Sequence, residues 1–208
     1  PEANIFVLSG PNFAIEVASG LPAAATLAGE NLADAVQLAQ QLATPSLRLY
    51  PSADLKGVAL GGALKNVIAI AAGAVEGAGL GENARATITT RGLAEIARIA
   101  SAMGAERETL MGLAGLGDLM LTCSSYRSRN YSLGVELGKG RTLNDILSER
   151  SGVSEGVETA QAGLALAAQH GVDAPIISAV SHVLNGKLSL HKAVASLMSR
   201  PSPTAELE

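Results

Sequence analysis

Aromatic side chains are scarce in this chain of 208 residues: they make up 2% of the sequence, and tryptophan is absent. A β-sandwich depends on aromatic and β-branched strands, so this scarcity argues against that class. Apolar residues still make up 48%, which is too many for a disordered tail. Glycine and alanine together approach three residues in ten. The composition therefore predicts closely packed helices whose bulk comes from leucine, isoleucine and valine.

Excess positive charge and thiols are lacking too. The net charge is -4 and no run of lysine or arginine occurs, so no nucleic-acid partner is expected. The single cysteine, Cys123, has no second thiol for a disulfide or a metal site, and the three histidines lack the spacing of metal ligands. We therefore expect no metal. A lone thiol fits a reducing compartment and no signal-peptide pattern opens the sequence, so the expected location is the cytoplasm.

A membrane span is not expected either. The most membrane-like stretch, residues 57–81, is interrupted by Lys65, Asn66 and Glu76. Its uncharged apolar core, residues 67–75, is less than half as long as the ~20 residues that a spanning helix needs. The sequence therefore predicts a buried helix at this position.

In the first fifty residues the sequence predicts two strands, then a helix, then a third strand. Residues 5–8 and 23–27 are β-prone, residues 30–42 carry an apolar helical face, and residues 47–50 alternate as a half-buried strand does. Three strands are too few for a sheet that is covered on both faces, so we expect them to belong to an incomplete sheet.

From residue 53 onward the helical pattern predominates. Arg91 and Glu95, four apart on one predicted helix face, are interpreted as a structural ion pair. Residues 77–81 are interpreted as an interhelical turn, because they follow no strand and no strand, GxGxxG, helix unit occurs in the sequence. The predicted fold class is mainly α, with a domain boundary after residue 50. Stop and N-cap signals divide this part into predicted helices at residues 53–76, 83–103, 106–113, 129–138, 142–149, 155–169, 176–185 and 189–199.

The segment GGALKNVIAIA, residues 61–71, places Lys65 in the middle of an apolar helix. The lysine side chain leans toward the preceding turn, over Gly61 and Gly62. Two glycines in a helix interior cost roughly 1 kcal/mol each relative to alanine, so they suggest a space kept open for a small molecule beside the ammonium. An equally good interpretation is that the glycines allow close helix packing while Lys65 reaches water.

The segment GLGDLMLTC, residues 115–123, places Asp118 among apolar neighbours after a glycine-rich turn. A buried carboxylate needs a partner, and a lysine is the obvious one. Asp118 is alternatively the N-cap of a short helix, which these residues by themselves favour. Cys123 in the same segment is interpreted as a packing residue, because no activating base lies nearby in the sequence.

A third segment, SSYRSRN at residues 124–130, leads into a predicted helix. A helix start with a hydroxyl, a guanidinium and an amide suits a phosphate, because backbone N–H groups, the positive end of the helix dipole and a forked donor act on the same oxygens. Serine-rich loops with two arginines are also common on solvated surfaces. The segment by itself leaves both interpretations open.

Taken together, these segments resemble the bacterial type of the NAD(P)-dependent glycerol-3-phosphate dehydrogenase family. The resemblance implies reversible hydride transfer between NAD or NADP and carbon 2 of dihydroxyacetone phosphate, giving sn-glycerol 3-phosphate for glycerophospholipid synthesis. It also implies an all-α substrate domain of the 6-phosphogluconate dehydrogenase C-terminal type over residues 51–208, preceded by the tail of a dinucleotide-binding domain over residues 1–50. It is carried by four motifs in order over nearly the whole chain: LSGPNFA at 8–14, GGALKNVIAIAAG at 61–73, GLAGLGDLMLTC at 112–123 and SRN at 128–130.

The resemblance implies which residues carry the reaction. Lys65 is implied as the proton donor and acceptor at the carbonyl oxygen. Asp118 is implied to contact the substrate and to help hold Lys65, and Thr122 to bind the substrate as well. The substrate phosphate is implied to be gripped by Ser128, Arg129 and Asn130.

Further contacts are implied around this centre. Gly10 and Asn12 match substrate-contacting positions of the family. The glycine-rich nucleotide-binding half of the family does not occur in this sequence, so we expect a fragment that does not turn over alone. We also expect the protein to be a homodimer. Positions that match cofactor contacts are Ala14, Arg129, Val153 and Glu155.

Two alternatives remain open. One is another two-domain NAD(P)-dependent reductase with an all-α C-terminal domain, which is not expected to carry the GGALKN, GLGDL and SRN segments together. The other is a helical dimerisation module, in which small residues form close helix contacts between subunits. The residues that suit this second role include Gly57, Gly61, Gly73 and Gly77.

Overall fold

The N-terminal region forms one small mixed sheet in the computed structural model, which describes residues 4–150, 152 and 154–201. The first two strands run antiparallel, and the second and third run parallel. All three predicted strands are therefore confirmed, and they pair with one another. The strands are adjacent in sequence order: β1 (Phe6–Ser9), β2 (Ala23–Gly29) and β3 (Leu47–Ser52).

Two helices belong to this region. α1 (Ala14–Ala18) follows β1 and was not predicted, because five residues are too few for a helical period to show. α2 (Leu32–Leu42) connects β2 to β3 and confirms the helix predicted there. It begins after Asn31, whose side-chain oxygen accepts a hydrogen bond from the backbone N–H of Ala33 at 2.8 Å.

The rest of the described chain is helical, which confirms the predicted mainly α fold. Each predicted helix corresponds to one observed helix. A π-helical turn (Leu113–Gly117) was not predicted, because three glycines between residues 112 and 117 mask the helical pattern. The short α6 (Asp118–Thr122) was expected only in the alternative that has Asp118 begin a short helix. The other helices are α3 (Leu55–Gly77), α4 (Glu82–Ala102), α5 (Arg107–Met111), α7 (Arg129–Gly138), α8 (Leu143–Ser148), α9 (Glu155–Gln169), α10 (Pro175–Leu184) and α11 (Leu190–Met198).

α3 is the central element of the helical part. It packs against α4, α7 and α9, and it also contacts β1 and β2 of the sheet. By length and composition α3 is apolar enough to cross a membrane, but 67% of its most apolar window is buried inside the protein. The prediction of a buried helix at this position is confirmed.

The glycines of α3 pack within the chain instead of presenting a surface to a second subunit. At Gly73 and Gly77 the neighbour is the backbone of α7, whose carbonyl oxygens would lie 2.0 Å from an added Cβ. The dimerisation-module alternative therefore loses the observation that suggested it. A Cβ would lie within 2.6 Å of another atom of this chain at each of the four positions: Gly57, Gly61, Gly73 and Gly77.

Glu95 is buried and links α4 to α10. One of its carboxylate oxygens accepts a hydrogen bond from the N–H of Ile176 at 2.8 Å, and the other accepts one from Ile177 at 3.1 Å. Burial raises the pKa of Glu95 to about 7, and the two backbone hydrogen bonds oppose this rise. Both oxygens of Glu95 cap the start of α10, and the ion pair of Glu95 with Arg91 stays a prediction.

The sheet and the helical part share a small apolar cluster. Ala28 of β2, Val58 of α3 and Ala114 of the π-helical turn are each at most 1% exposed and contact one another. The chain passes from β3 to α3 within two residues. The division into residues 1–50 and 51–208 stays a prediction.

Candidate active site

A cleft of about 840 Å³ opens beside the loop that follows β1. Its other walls come from α3, α6, the start of α7 and the start of α9. Gly10 is not among the residues that line the cleft, and Val153 lies outside the described residues. The cleft brings together the other residues that the sequence nominated: Asn12, Ala14, Lys65, Asp118, Thr122, Ser128, Arg129, Asn130 and Glu155.

Lys65 and Asp118 form an ion pair in the wall of this cleft. The ammonium of Lys65, on α3, donates to Oδ2 of Asp118, on α6. The Asp118 side chain is 4% exposed and the Lys65 side chain is 19% exposed, so the pair is largely screened from bulk water while the lysine still reaches the cleft. Of the interpretations left open for Asp118, the lysine partner is correct. The N-cap is wrong, because Asp118 lies within the first turn of α6.

Three further groups hold the carboxylate of Asp118. The hydroxyl of Ser9 donates to Oδ2 at 3.0 Å, and the backbone N–H of Gly10 donates to the same oxygen at 3.1 Å. The hydroxyl of Thr122 lies one helical turn on; it donates mainly to the backbone carbonyl oxygen of Asp118 at 2.6 Å and lies 3.3 Å from Oδ1. Asp118 therefore accepts hydrogen bonds from the loop end of β1, from α3 and from its own helix. Gly10 contacts the acid, and its contact with a substrate stays a prediction.

The two glycines before Lys65 make room for protein atoms. A Cβ at Gly61 would lie 2.6 Å from the carbonyl oxygen of Ala114, and one at Gly62 would lie 2.7 Å from the hydroxyl oxygen of Ser9. The expectation that these glycines keep space for a small molecule is therefore wrong. They allow the π-helical turn and the end of β1 to approach α3 on the two sides of Asp118.

The π-helical turn fixes where α6 begins. A Cβ at Gly115 would lie 2.0 Å from the carbonyl oxygen of Leu110, so only glycine lets the chain double back on α5. π-Helical turns are rare and concentrate at functional sites. Here the turn delivers Asp118 into the protein interior, where it meets Lys65.

The start of α7 forms another part of the cleft wall. Ser128 is the N-cap, and its hydroxyl oxygen accepts a hydrogen bond from the N–H of Tyr131 at 3.2 Å. Arg129 is exposed, and its guanidinium forms no ion pair within the described part of the chain. Asn130 is buried, and its Oδ1 accepts a hydrogen bond from the N–H of Gly156 at 3.0 Å. A helix N-terminus with a free guanidinium is suited to an anion.

Sequence reasoning missed three residues that shape the cleft. Asn66, next to Lys65, donates from Nδ2 to Oε2 of Glu155 at 3.2 Å and so ties α3 to the start of α9. Arg127 forms an ion pair with Glu16 across the cleft. Asn66 stands inside the GGALKN motif, which was a usable signal. The Arg127–Glu16 pair spans 111 positions, and no local pattern reveals such a contact.

Thiol and metal chemistry have no support in the described residues. Cys123 is 3% exposed, and burial raises the pKa of its thiol to about 12, so the nucleophilic thiolate does not form near neutral pH. This agrees with its interpretation as a packing residue. Within residues 4–150, 152 and 154–201, no group of three or more histidine, cysteine, aspartate or glutamate side chains is placed to hold a metal ion.

Comparisons with known proteins agree on one family. The family model described as the C-terminus of NAD-dependent glycerol-3-phosphate dehydrogenase matches residues 54–195. Glycerol-3-phosphate dehydrogenase (NAD(P)+) from Gluconobacter oxydans is 60% identical over 200 residues, which cover 96% of this chain and 61% of that protein. The protein of the same name from Parvibaculum lavamentivorans is 54% identical over 97% of this chain and 60% of its own length.

A solved structure has the same fold as this chain. The crystal structure of glycerol-3-phosphate dehydrogenase from Coxiella burnetii superposes with a TM-score of 0.91 and 40% identity, over 96% of this chain and 61% of that one. The chain thus spans about three fifths of the length of the relatives that it matches. It belongs to the family of NAD-dependent glycerol-3-phosphate dehydrogenase C-terminal domains.

Proposed function

We propose that this chain is the catalytic and substrate-binding part of an NAD(P)-dependent glycerol-3-phosphate dehydrogenase, which interconverts dihydroxyacetone phosphate and sn-glycerol 3-phosphate. One observation carries the proposal: a screened Lys65–Asp118 ion pair shares a cleft with a helix N-terminus whose Arg129 guanidinium has no ion-pair partner among the described residues. A small ketone with a phosphate at one end needs both features. The names of the relatives agree with this substrate.

Lys65 is the proposed proton donor to the carbonyl oxygen. Negative charge grows on this oxygen during reduction, and an ammonium held in a site of low polarity stabilises the charge before giving up its proton. In the reverse direction the neutral amine accepts the proton from the hydroxyl group. Asp118 keeps the amine in place because its own carboxylate is held by three other donors.

The start of α7 is the proposed phosphate site. Backbone N–H groups at the N-terminus of a helix point along the axis toward an anion, and Arg129 adds a forked donor. Asn130 accepts a hydrogen bond from the N–H of Gly156, which ties the proposed phosphate site to the start of α9. Phosphate binding anchors the substrate and thereby orients its carbonyl group, which affects the rate as well as affinity.

The cleft has room for part of a nicotinamide cofactor in addition to the substrate. Its volume of about 840 Å³ lies in the range of ~300–1,000 Å³ typical of ligand pockets and exceeds what a three-carbon phosphate fills. Ala14, Arg129 and Glu155 are the proposed contacts, with Val153 as a further one from the sequence. When bound, NADH or NADPH supplies the hydride that reduces the ketone.

The whole enzyme requires more than these residues. We propose that the 208 residues turn over only as part of a longer protein that adds a dinucleotide-binding region, that this protein is a cytoplasmic homodimer, and that its product serves glycerophospholipid synthesis. The relatives, which are longer, and the lack of a strand, GxGxxG, helix unit in this sequence support the need for a second region.

The test is a turnover assay on the full-length protein that contains these residues. Wild-type protein is expected to oxidise NADH or NADPH when dihydroxyacetone phosphate is added, and Lys65→Ala is expected to lose about 10²–10⁴-fold in kcat, the usual contribution of a general acid. Lys56→Ala is the matched control, because Lys56 is an exposed lysine of the same helix that does not line the cleft.

Three outcomes contradict the proposal. They are turnover by the isolated 208 residues, equal activity of Lys65→Ala and wild type, or no response to dihydroxyacetone phosphate with either cofactor. Light scattering on the same samples tests the homodimer, and a monomeric mass at micromolar concentration contradicts it. A protein that assembles but never responds to substrate supports the dimerisation-module alternative instead.

A further inference from the structure

Ser9 contacts the catalytic pair from outside the cleft. It is the last residue of β1, it is 6% exposed, and it is not among the residues that line the cleft. Its hydroxyl donates to Oδ2 of Asp118, the same oxygen that accepts a hydrogen bond from the Lys65 ammonium. A side chain of the small sheet thus reaches the centre of the helical site.

The sequence makes special room for this contact. A Cβ at position 62 would lie 2.7 Å from the Ser9 hydroxyl oxygen but 3.4 Å from the Ser9 Cβ. Any residue other than glycine at position 62 therefore displaces the hydroxyl, while the strand itself can stay. The second glycine of the GGALKN segment is explained by Ser9, and not by the substrate.

We propose that Ser9 is a positioning residue for the Lys65–Asp118 pair, an inference that rests on the proposed function. A carboxylate with one partner rotates about its terminal bond, and additional donors from fixed directions restrict that rotation. Ser9 and the Gly10 N–H hold Oδ2 from the sheet side, so this oxygen faces Lys65 in one orientation.

Because Oδ2 also accepts hydrogen bonds from Ser9 and Gly10, it attracts the Lys65 ammonium less strongly than it would alone. During reduction, the N–H bond of Lys65 breaks as the new O–H bond of the product forms, and the neutral amine then regains a proton from water. The O–H bond of Ser9 stays intact throughout. Ser9 therefore acts on the step only through Asp118.

The kinetic test uses the full-length protein with Ser9→Ala and Ser9→Thr. Ser9→Ala is expected to lower kcat about tenfold, in line with one hydrogen bond to a charged group, and to leave KM for dihydroxyacetone phosphate within about twofold. Ser9→Thr keeps the hydroxyl and is expected to restore most of kcat. Ser181→Ala is the control, because Ser181 is a buried serine of α10 outside the cleft and is expected to leave both constants unchanged.

A double-mutant cycle separates positioning from a general loss of packing. In an Asp118→Asn background the charge that Ser9 orients is gone, so adding Ser9→Ala is expected to lower kcat no further. Gly62→Ala is a second test of the positioning role, because the added Cβ displaces the Ser9 hydroxyl without removing it. It is expected to match Ser9→Ala, and the two changes together are expected to cost no more than either one.

The outcomes are distinct for the two proposals. An unchanged kcat for Ser9→Ala, or losses that add fully in the Asp118→Asn background, overturns the positioning role while leaving the proposed function intact. A wild-type protein that does not reduce dihydroxyacetone phosphate overturns the proposed function itself. A loss that Thr rescues and that disappears without Asp118 establishes Ser9 as a positioning residue.

Discussion

Replacing Gly73 by alanine tests how α3 and α7 are placed against each other. The added Cβ would lie 2.0 Å from the carbonyl oxygen of Tyr131, in the first turn of α7. The obstacle is backbone, which cannot rotate away as a side chain can. The two helices must therefore separate by roughly 1.4 Å before the contact becomes ordinary, and interiors are packed too densely to absorb such a shift freely.

The expected cost combines two opposing effects. Overpacking a dense core costs about 1–3 kcal/mol, and a backbone obstacle belongs at the upper end. Alanine in a helix interior regains about 1 kcal/mol relative to glycine. The net loss in the free energy of unfolding is about 2 kcal/mol, which lowers the urea midpoint by about 1 M for an m-value near 2 kcal/mol/M.

Gly73→Ala is also expected to alter the geometry of the candidate active site. Tyr131 follows Arg129 by two residues, so a shift of its backbone moves the proposed phosphate anchor relative to Lys65 on α3. A displacement of about 1 Å in such a geometry costs up to ~100-fold in rate. Gly73→Ala is therefore expected to lower kcat/KM for dihydroxyacetone phosphate in the full-length protein, in addition to its effect on urea unfolding followed by circular dichroism.

Gly163→Ala is the matched control for this prediction. Gly163 lies in α9, and an added Cβ would lie 2.8 Å from Cδ2 of Leu64, the mobile end of a side chain. This variant is expected to change the free energy of unfolding by less than about 1 kcal/mol. If Gly73→Ala and Gly163→Ala unfold at the same urea concentration, the argument from backbone contact is refuted.

Two further predictions concern charge. Because burial raises the folded-state pKa of Glu95 to about 7 from an ordinary 4.5, the native state keeps this proton longer than the unfolded state does. Stability from this group is thus fully present below about pH 4.5 and falls by about 3 kcal/mol as pH rises to about 7. Urea unfolding across this window is expected to show a flatter pH dependence for Glu95→Gln, and equal slopes would contradict the assignment. Arg129→Lys replaces a forked donor by a single ammonium and is expected to raise KM for dihydroxyacetone phosphate about tenfold and to lower kcat. Unchanged kinetics would remove Arg129 from the proposed phosphate site.

Local patterns were sufficient for most of the fold. Apolar periodicity and cap signals located α3, α4 and α7 to α11, because each helix must bury one face and end at a recognisable residue. The same periodicity did not locate the shortest segments, because they are too short to show it. The five residues of α1 and the five of α6 show no full period, and the π-helical turn between α5 and α6 depends on contacts of Gly115 with a different element.

The candidate site was also predictable from the sequence only in part. Residue chemistry singled out Lys65, Asp118 and the helix start at residues 128–130, because a lysine and an acid in apolar surroundings and a polar helix start are each unusual. Their pairing was only one of two interpretations until the structure brought the first two together. Of the two roles given to the glycine pair before Lys65, close packing was correct and space for a small molecule was wrong, because sequence does not show which atoms face an absent Cβ.

The sequence by itself determined which segments are helical, where they end and which few polar side chains are placed among apolar neighbours, since these follow from spacing along the chain. Only the tertiary structure decided that Ser9 and Gly10 hold Asp118 and that Asn130 holds the start of α9, because these contacts join residues 109, 108 and 26 positions apart. Such contacts depend on how whole elements pack, and packing is set by backbone approaches that no local pattern records.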